Sequence, residues 1–150
     1  MLTPESVRVN TLGPCAFKSP LHLSTKTGDG LGNFVPDNAQ INYQVESDML
    51  YPHPGVFFEK AGPREMIFFN PSETRAAIVT CGGLCPGLNN VIRSAFLEFS
   101  YNYGVKNVLG IRYGFEGLNP AIGMPPIPLT VDNTDDIHQQ GGSILGSSRG

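Results

Sequence analysis

Residues 75–93 read RAAIVTCGGLCPGLNNVIR, and this stretch is the strongest indication of the fold class in the sequence. Its first part, residues 75–80, is a short and nearly all-apolar run of the kind found in a strand buried on both faces of a parallel sheet. The glycine-rich segment CGGLCPG follows at residues 81–87. An apolar helical period begins at Leu88. The stretch therefore predicts a strand, a tight turn and the N-terminus of a helix.

The predicted helix has one apolar stripe. Its members recur at the spacing of a single helix face, and they are Leu88, Val91, Ile92, Ala95, Phe96 and Phe99. The polar residues Asn89, Asn90, Arg93 and Glu98 fall off this stripe. Asn102 and Gly104 supply a C-terminal stop.

The rest of residues 71–150 extends the same α/β pattern. A second apolar run, NVLGI at Asn107–Ile111, predicts a strand parallel to the first and hence a βαβ unit. Residues 130–140 predict one short helix, with Gly141 and Gly142 just past its end. The fold class is thus the start of a doubly wound, mostly parallel, Rossmann-like sheet. Because such domains have about five or six strands and fewer are found here, we expect the domain to continue beyond the chain.

Residues 1–70 predict an irregular N-terminal extension. Glycine, proline, asparagine and aspartate interrupt the sequence often, and only short strands fit between them, at residues 41–45 and 56–59. We find no constellation of catalytic side chains in this part. The predicted organisation is an extension over residues 1–70 and the first part of an α/β domain over residues 71–150.

Composition excludes several classes of protein. The formal net charge is −3 and no basic run occurs, so a nucleic-acid partner is not expected. No apolar stretch approaches the roughly 20 residues that span a bilayer, and residues at the start of the sequence lack the charged and apolar segments expected of a secretory signal. The three cysteines, Cys15, Cys81 and Cys85, suit neither a disulfide framework nor a zinc site. We expect a cytoplasmic protein in which Cys81 and Cys85 are partly buried thiols lining the turn.

The glycine turn is suited to an anionic ligand. Gly82 and Gly83 would let the backbone approach a phosphate, and the helix N-terminus that follows favours negative charge. The pattern is neither a Walker A loop nor the dinucleotide fingerprint. A purely structural turn is the alternative.

Three arginines are weaker candidates. Arg149 stands beside glycine and two serines, where a guanidinium could bind phosphate or could simply be exposed. Arg112 follows the second strand, where open α/β sheets bind ligands, although ordinary loop packing explains it equally well. Arg93 could reach an anion, but we expect it to be solvated.

Three segments in register resemble the phosphofructokinase family. They are IVTCGGLCPGLNNVIR at residues 78–93, GIRYGFEGL at 110–118 and DIHQQGGSILGSSRG at 136–150. The amino-acid sequence of these segments is similar to that of the branch with plant, trypanosome and pyrophosphate-using members. AGPREMIFF at residues 61–69 also resembles the extension before the core in that branch.

The resemblance implies phosphoryl transfer from ATP to the 1-hydroxyl of fructose 6-phosphate, with Mg2+. It places Gly82 and Gly83 at the donor's phosphates and Arg149 and Gly150 in a donor-binding pair. It puts Arg112 where short bacterial members have a tyrosine against adenine, which leaves the role of this residue open. It also matches Arg93 to an effector-binding arginine, but Leu97 replaces the second basic residue of that site.

The resemblance further implies that the catalytic residues and the metal ligands lie downstream, so none is predicted within this chain and the piece alone should be inactive. Family members are commonly dimers or tetramers, which predicts a homo-oligomer for the full-length protein. Two alternatives stay open: a pyrophosphate-dependent enzyme of the same family, and a non-catalytic module that senses phosphate or nucleotide.

Overall fold

The computed structural model describes residues 2–44, 55–121 and 124–148. The chain divides into two compact units, Met1–Phe68 and Phe69–Gly150. Among the described residues, no helix is both long and apolar enough to cross a bilayer.

The N-terminal unit contains two small antiparallel sheets. Strand β1 (Phe17–Lys18) pairs with β4 (Met66–Ile67), and β2 (Gln40–Asn42) pairs with β3 (Phe57–Glu59). Strands β2 and β3 correspond to the two short strands predicted from the sequence, although residue 45 lies outside the described residues. The remainder of this unit is irregular, as predicted.

A single arginine joins the irregular segments of the N-terminal unit. The Arg64 guanidinium donates to backbone carbonyls from two separate segments, those of Val35, Pro36 and Lys60, at 2.5–2.9 Å. It also forms a 3.0 Å ion pair with Glu59. The side chain is only 17% exposed, so these bonds lie where water competes poorly. Arg64 therefore takes over part of the role that regular hydrogen bonding has in a larger sheet.

The second unit is built on a three-stranded sheet in the order β5-β6-β7. Strands β5 (Arg75–Val79) and β6 (Asn107–Ile111) are parallel over their whole length. Strand β7 (Ile127–Pro128) runs antiparallel on the other side of β6. Helix α1 (Leu88–Leu97) connects the two parallel strands, which confirms the predicted βαβ unit.

The prediction that the first strand is buried on both faces is wrong. Along β5, Ala76 and Ile78 pack against the core, whereas Arg75, Ala77 and Val79 are exposed. Within the described residues β5 is the edge strand, and the packed core lies on one of its faces.

Helix α1 begins at Leu88 as predicted and continues into a π-helical turn, Glu98–Asn102. Its buried face differs from the prediction, because Asn89 is buried whereas Val91 is 62% exposed. Helix α1 buries Asn89 and, three and seven positions further along the same face, Ile92 and Phe96. The helix therefore presents a polar side chain to the interior.

The single helix predicted over residues 130–140 is two shorter pieces. Helix α2 (Val131–Thr134) begins with a capping box between Thr130 and Asn133, and a 3-10 turn follows at Ile137–Gln139. The Asp135 carbonyl between them lies 3.1 Å from Arg93 Nε and 2.8 Å from His138 Nδ1. Both side chains therefore contact the backbone carbonyl at the break between the two pieces.

The core of the second unit joins the sheet, α1 and the C-terminal segment. Its buried members are Ile92, Phe96, Val105, Val108, Leu129, Ile137 and Leu145. This packing positions the segments that follow the carboxyl ends of β5 and β6.

Candidate functional site

Three segments meet at the carboxyl ends of the parallel strands. The glycine turn (residues 80–87) follows β5, and the second turn (residues 112–117) follows β6. The serine loop (residues 141–148) comes after the 3-10 turn and returns to the same end of the sheet. Ligands of open α/β sheets bind at this edge.

Hydrogen bonds join the serine loop to the glycine turn. The N–H of Gly82 donates to the Ser148 carbonyl at 3.1 Å, and the Ser147 hydroxyl donates to the Gly82 carbonyl at 2.7 Å. The buried Thr80 hydroxyl donates to the Gly146 carbonyl at 3.0 Å. Both backbone polar groups of Gly82 are therefore used within the protein, and what this residue offers a ligand is space.

The second turn is also held by the serine loop. The Tyr113 N–H donates to the Leu145 carbonyl at 2.8 Å. Tyr113 adopts φ +54°, a left-handed conformation that is uncommon for a residue with a side chain. A side chain at Gly114 would come within 3.2 Å of the Cys81 sulfur, so the two turns approach closely. The three segments thus form one connected surface.

The glycine turn offers unused hydrogen-bond donors. The N–H groups of Gly83, Leu84 and Cys85 donate to no atom of the described residues. Gly87 forms the N-cap of α1 with φ +86° and has no side chain to cap the helix. Consecutive unpaired N–H groups leading into a helix N-terminus are suited to binding an anion such as phosphate.

Gly82, Gly83 and Arg112, which the sequence selected, lie in this surface, while Arg149 and Gly150 lie outside the described residues. The Arg112 guanidinium lies 5.4 Å from the centroid of the Tyr113 ring and is partly exposed. Among the described residues it forms no ion pair. It is available to a ligand.

Two other expectations are wrong. Arg93 is not simply solvated, because its guanidinium bonds the Asp135 carbonyl and lies 3.5 Å from its carboxylate. Cys81 and Cys85 are free thiols, and both are exposed rather than partly buried. In the described part of the chain, no three His, Cys, Asp or Glu side chains are grouped so that they could hold a metal ion.

Sequence reasoning missed two polar residues of the site. Asn89 is buried and bonds both the Gln140 carbonyl and the Ile144 N–H. Thr80 is buried and bonds the serine loop. The available signal for Asn89 was its spacing, since it lies three and seven positions before Ile92 and Phe96.

Residues 75–150 match the family model described as Phosphofructokinase. The chain is 43% identical over 145 residues to an ATP-dependent 6-phosphofructokinase of Borreliella burgdorferi, covering 95% of this chain and 32% of the relative. It is 51% identical over 151 residues to one from Trypanosoma cruzi, covering 99% and 31%. An Entamoeba histolytica relative of the same name is 58% identical over 92 residues, covering 61% and 21%. The chain thus spans a third or less of each relative's length.

Proposed function

Because the chain belongs to the phosphofructokinase family, we propose that the protein is an ATP-dependent 6-phosphofructokinase to which residues 71–150 contribute part of the donor site. The reaction would transfer the terminal phosphoryl group of ATP to the 1-hydroxyl of fructose 6-phosphate, giving fructose 1,6-bisphosphate in glycolysis. The names of the relatives support this activity. The donor-binding domain, the catalytic residues and the metal ligands would be completed by sequence beyond this chain.

One observation carries the proposal: the unused N–H groups of Gly83, Leu84 and Cys85 at the carboxyl ends of the parallel strands. We assign them to the donor's phosphates, with Gly82 leaving room for the phosphate group. Phosphoryl transfer depends chiefly on positioning and on stabilising negative charge, and these N–H groups would supply both at the donor.

The donor's other contacts would come from arginines. Arg112 would face the nucleotide, since a guanidinium stacks on aromatic bases as well as binding phosphate. Arg149 and Gly150 would extend the donor site from the end of the serine loop. Pyrophosphate is the competing donor, and the ATP-dependent names of the three relatives favour ATP.

The remaining features follow from the same proposal. Mg2+ would accompany the donor and neutralise phosphate charge, and its protein ligands would lie outside the described residues. The protein would be cytoplasmic and would form a homo-oligomer, a dimer or a tetramer. Membrane and nucleic-acid partners are not part of this function.

The test is a phosphoryl-transfer assay on the complete gene product, with fructose 6-phosphate, magnesium and either ATP or pyrophosphate in parallel. We expect fructose 1,6-bisphosphate with ATP and none above background with pyrophosphate. Product with pyrophosphate alone would assign the enzyme to the other donor class. Absence of product with both donors would contradict the kinase proposal and favour a module that senses phosphate or nucleotide.

A further inference from the structure

One buried amide joins helix α1 to the serine loop. Asn89, in the first turn of α1, is only 2% exposed. Its Nδ2 donates to the Gln140 carbonyl at 3.1 Å, and its Oδ1 accepts from the Ile144 N–H at 2.9 Å. The two partners are backbone groups on either side of residues 141–143, and both lie more than 50 residues from Asn89 along the chain.

We propose that Asn89 is a positioning residue for the donor site, holding the serine loop at the start of α1. This inference rests on the proposed function insofar as it concerns the donor. The loop that Asn89 holds bonds both backbone groups of Gly82 through Ser147 and Ser148. Asn89 therefore acts on the unused N–H groups of the glycine turn through the loop and touches no reacting atom.

The chemistry of the side chain explains why this position needs asparagine. The loop presents one carbonyl acceptor and one N–H donor, and the asparagine amide offers a matching donor and acceptor on its two terminal atoms. An ionised carboxylate would accept from Ile144 but would repel the Gln140 carbonyl. An aliphatic side chain would leave both backbone groups buried without partners, which is costly.

The neighbouring Asn90 is a matched control. It is the same residue type in the same turn of α1, but it is exposed, and within the described residues its side chain makes no hydrogen bond. Identical substitutions at the two positions change helix propensity equally. Differences between the two variants therefore report the contacts of Asn89.

The first measurement is amide hydrogen exchange of Ile144 in the complete protein, comparing Asn89→Ala with Asn90→Ala. Loss of one hydrogen bond to a buried group should speed exchange of the Ile144 amide about tenfold or more in Asn89→Ala. Asn90→Ala should match wild type. Equal exchange rates in all three proteins would overturn the inference.

The second measurement separates positioning from general destabilisation. In Asn89→Asp the KM for the phosphoryl donor should rise about tenfold near pH 8, with the KM for fructose 6-phosphate within about twofold of wild type. As the pH falls toward 6 the donor KM should recover, because a buried carboxyl has a raised pKa and its protonated form can donate to the Gln140 carbonyl. Equal changes in both KM values, or a fall in kcat alone, would contradict the inference.

The charged and titratable groups on α1 and on the segment packed against it are common to both variants. They are Arg93 on α1 and Asp135, Asp136 and His138 on the segment packed against it. Asn90→Asp retains all of them, so its pH profile gives the background to subtract. If wild type transfers no phosphoryl group, the proposed function fails while exchange of Ile144 still decides whether Asn89 holds the loop.

Discussion

At the scale of single residues, Gly82 combines two properties that a ligand-binding turn needs. Its φ of +94° is a conformation that residues with side chains rarely adopt, and a Cβ at this position would meet nothing within 4 Å. The space beside it is therefore open, and its backbone groups are already bonded to Ser147 and Ser148. Gly82 can therefore contribute to a binding site by leaving space for the ligand.

Gly82→Ala should therefore raise the donor KM in the complete enzyme, because the methyl group would enter the space assigned to phosphate. The positive φ should also cost about 1 kcal/mol of folding stability. Steady-state kinetics with varied donor, together with denaturant unfolding, would measure both effects.

Gly104→Ala separates these two effects. Gly104 has φ +70°, and a Cβ added there would also meet open space, but this residue follows the π-helical turn at the C-terminal end of the helix, away from the glycine turn along the chain. This variant should lose a similar stability while keeping the wild-type donor KM. If the two alanine variants have the same donor KM, the space beside Gly82 is not the phosphate site.

At the scale of secondary-structure elements, the sequence predicted what local patterns determine. The bounds of β6, the start of α1 and the parallel pairing of β5 with β6 are confirmed. The bounds of these elements depend on apolar periodicity and glycine punctuation within a few residues, and the parallel pairing follows from the strand–helix–strand order. The positions of Gly82, Gly83 and Arg112 at the strand ends follow from the same elements.

The elements that could not be predicted depend on distant partners. Asn89 is buried because a loop 51 to 55 residues away satisfies its amide, and no local pattern marks that loop as its neighbour. The helix predicted over residues 130–140 is two shorter pieces, and the Asp135 carbonyl between them bonds Arg93, 42 residues away. Side chains that satisfy backbone groups far along the chain leave no periodic signal.

The N-terminal unit offers a prediction at the same scale. Arg64 donates to three carbonyls and pairs with Glu59, and a lysine cannot reproduce the guanidinium's planar set of donors. Arg64→Lys should lower the opening free energy of this unit by about 1–3 kcal/mol. Amide exchange of Tyr43 and Lys60, which bond across the β2–β3 region, would report it.

Arg8→Lys is the control for this substitution. Arg8 belongs to the same unit, is exposed, and its side chain makes no hydrogen bond to the described residues. Its replacement should leave the exchange of both amides unchanged. Equal effects of the two lysine variants would show that Arg64 does not hold the unit together.

At the scale of the whole molecule, the chain carries the proposed part of a donor site on an α/β scaffold and spans a third or less of each relative's length. The glycine turn, the second turn and the serine loop come from three places in the second unit and are joined by hydrogen bonds. Because the parallel strands bring these segments to one edge, the fold itself assembles the surface. We propose that this surface binds the phosphates of ATP.

Amide exchange rates of the complete protein, measured on the millisecond timescale with and without magnesium and ATP, test this binding. The N–H groups of Gly83, Leu84 and Cys85, which have no acceptor among the described residues, should exchange more slowly as ATP saturates the enzyme. The Lys60 amide in the N-terminal unit should serve as an unaffected reference. Unchanged exchange of the three turn amides at saturating ATP would contradict the account.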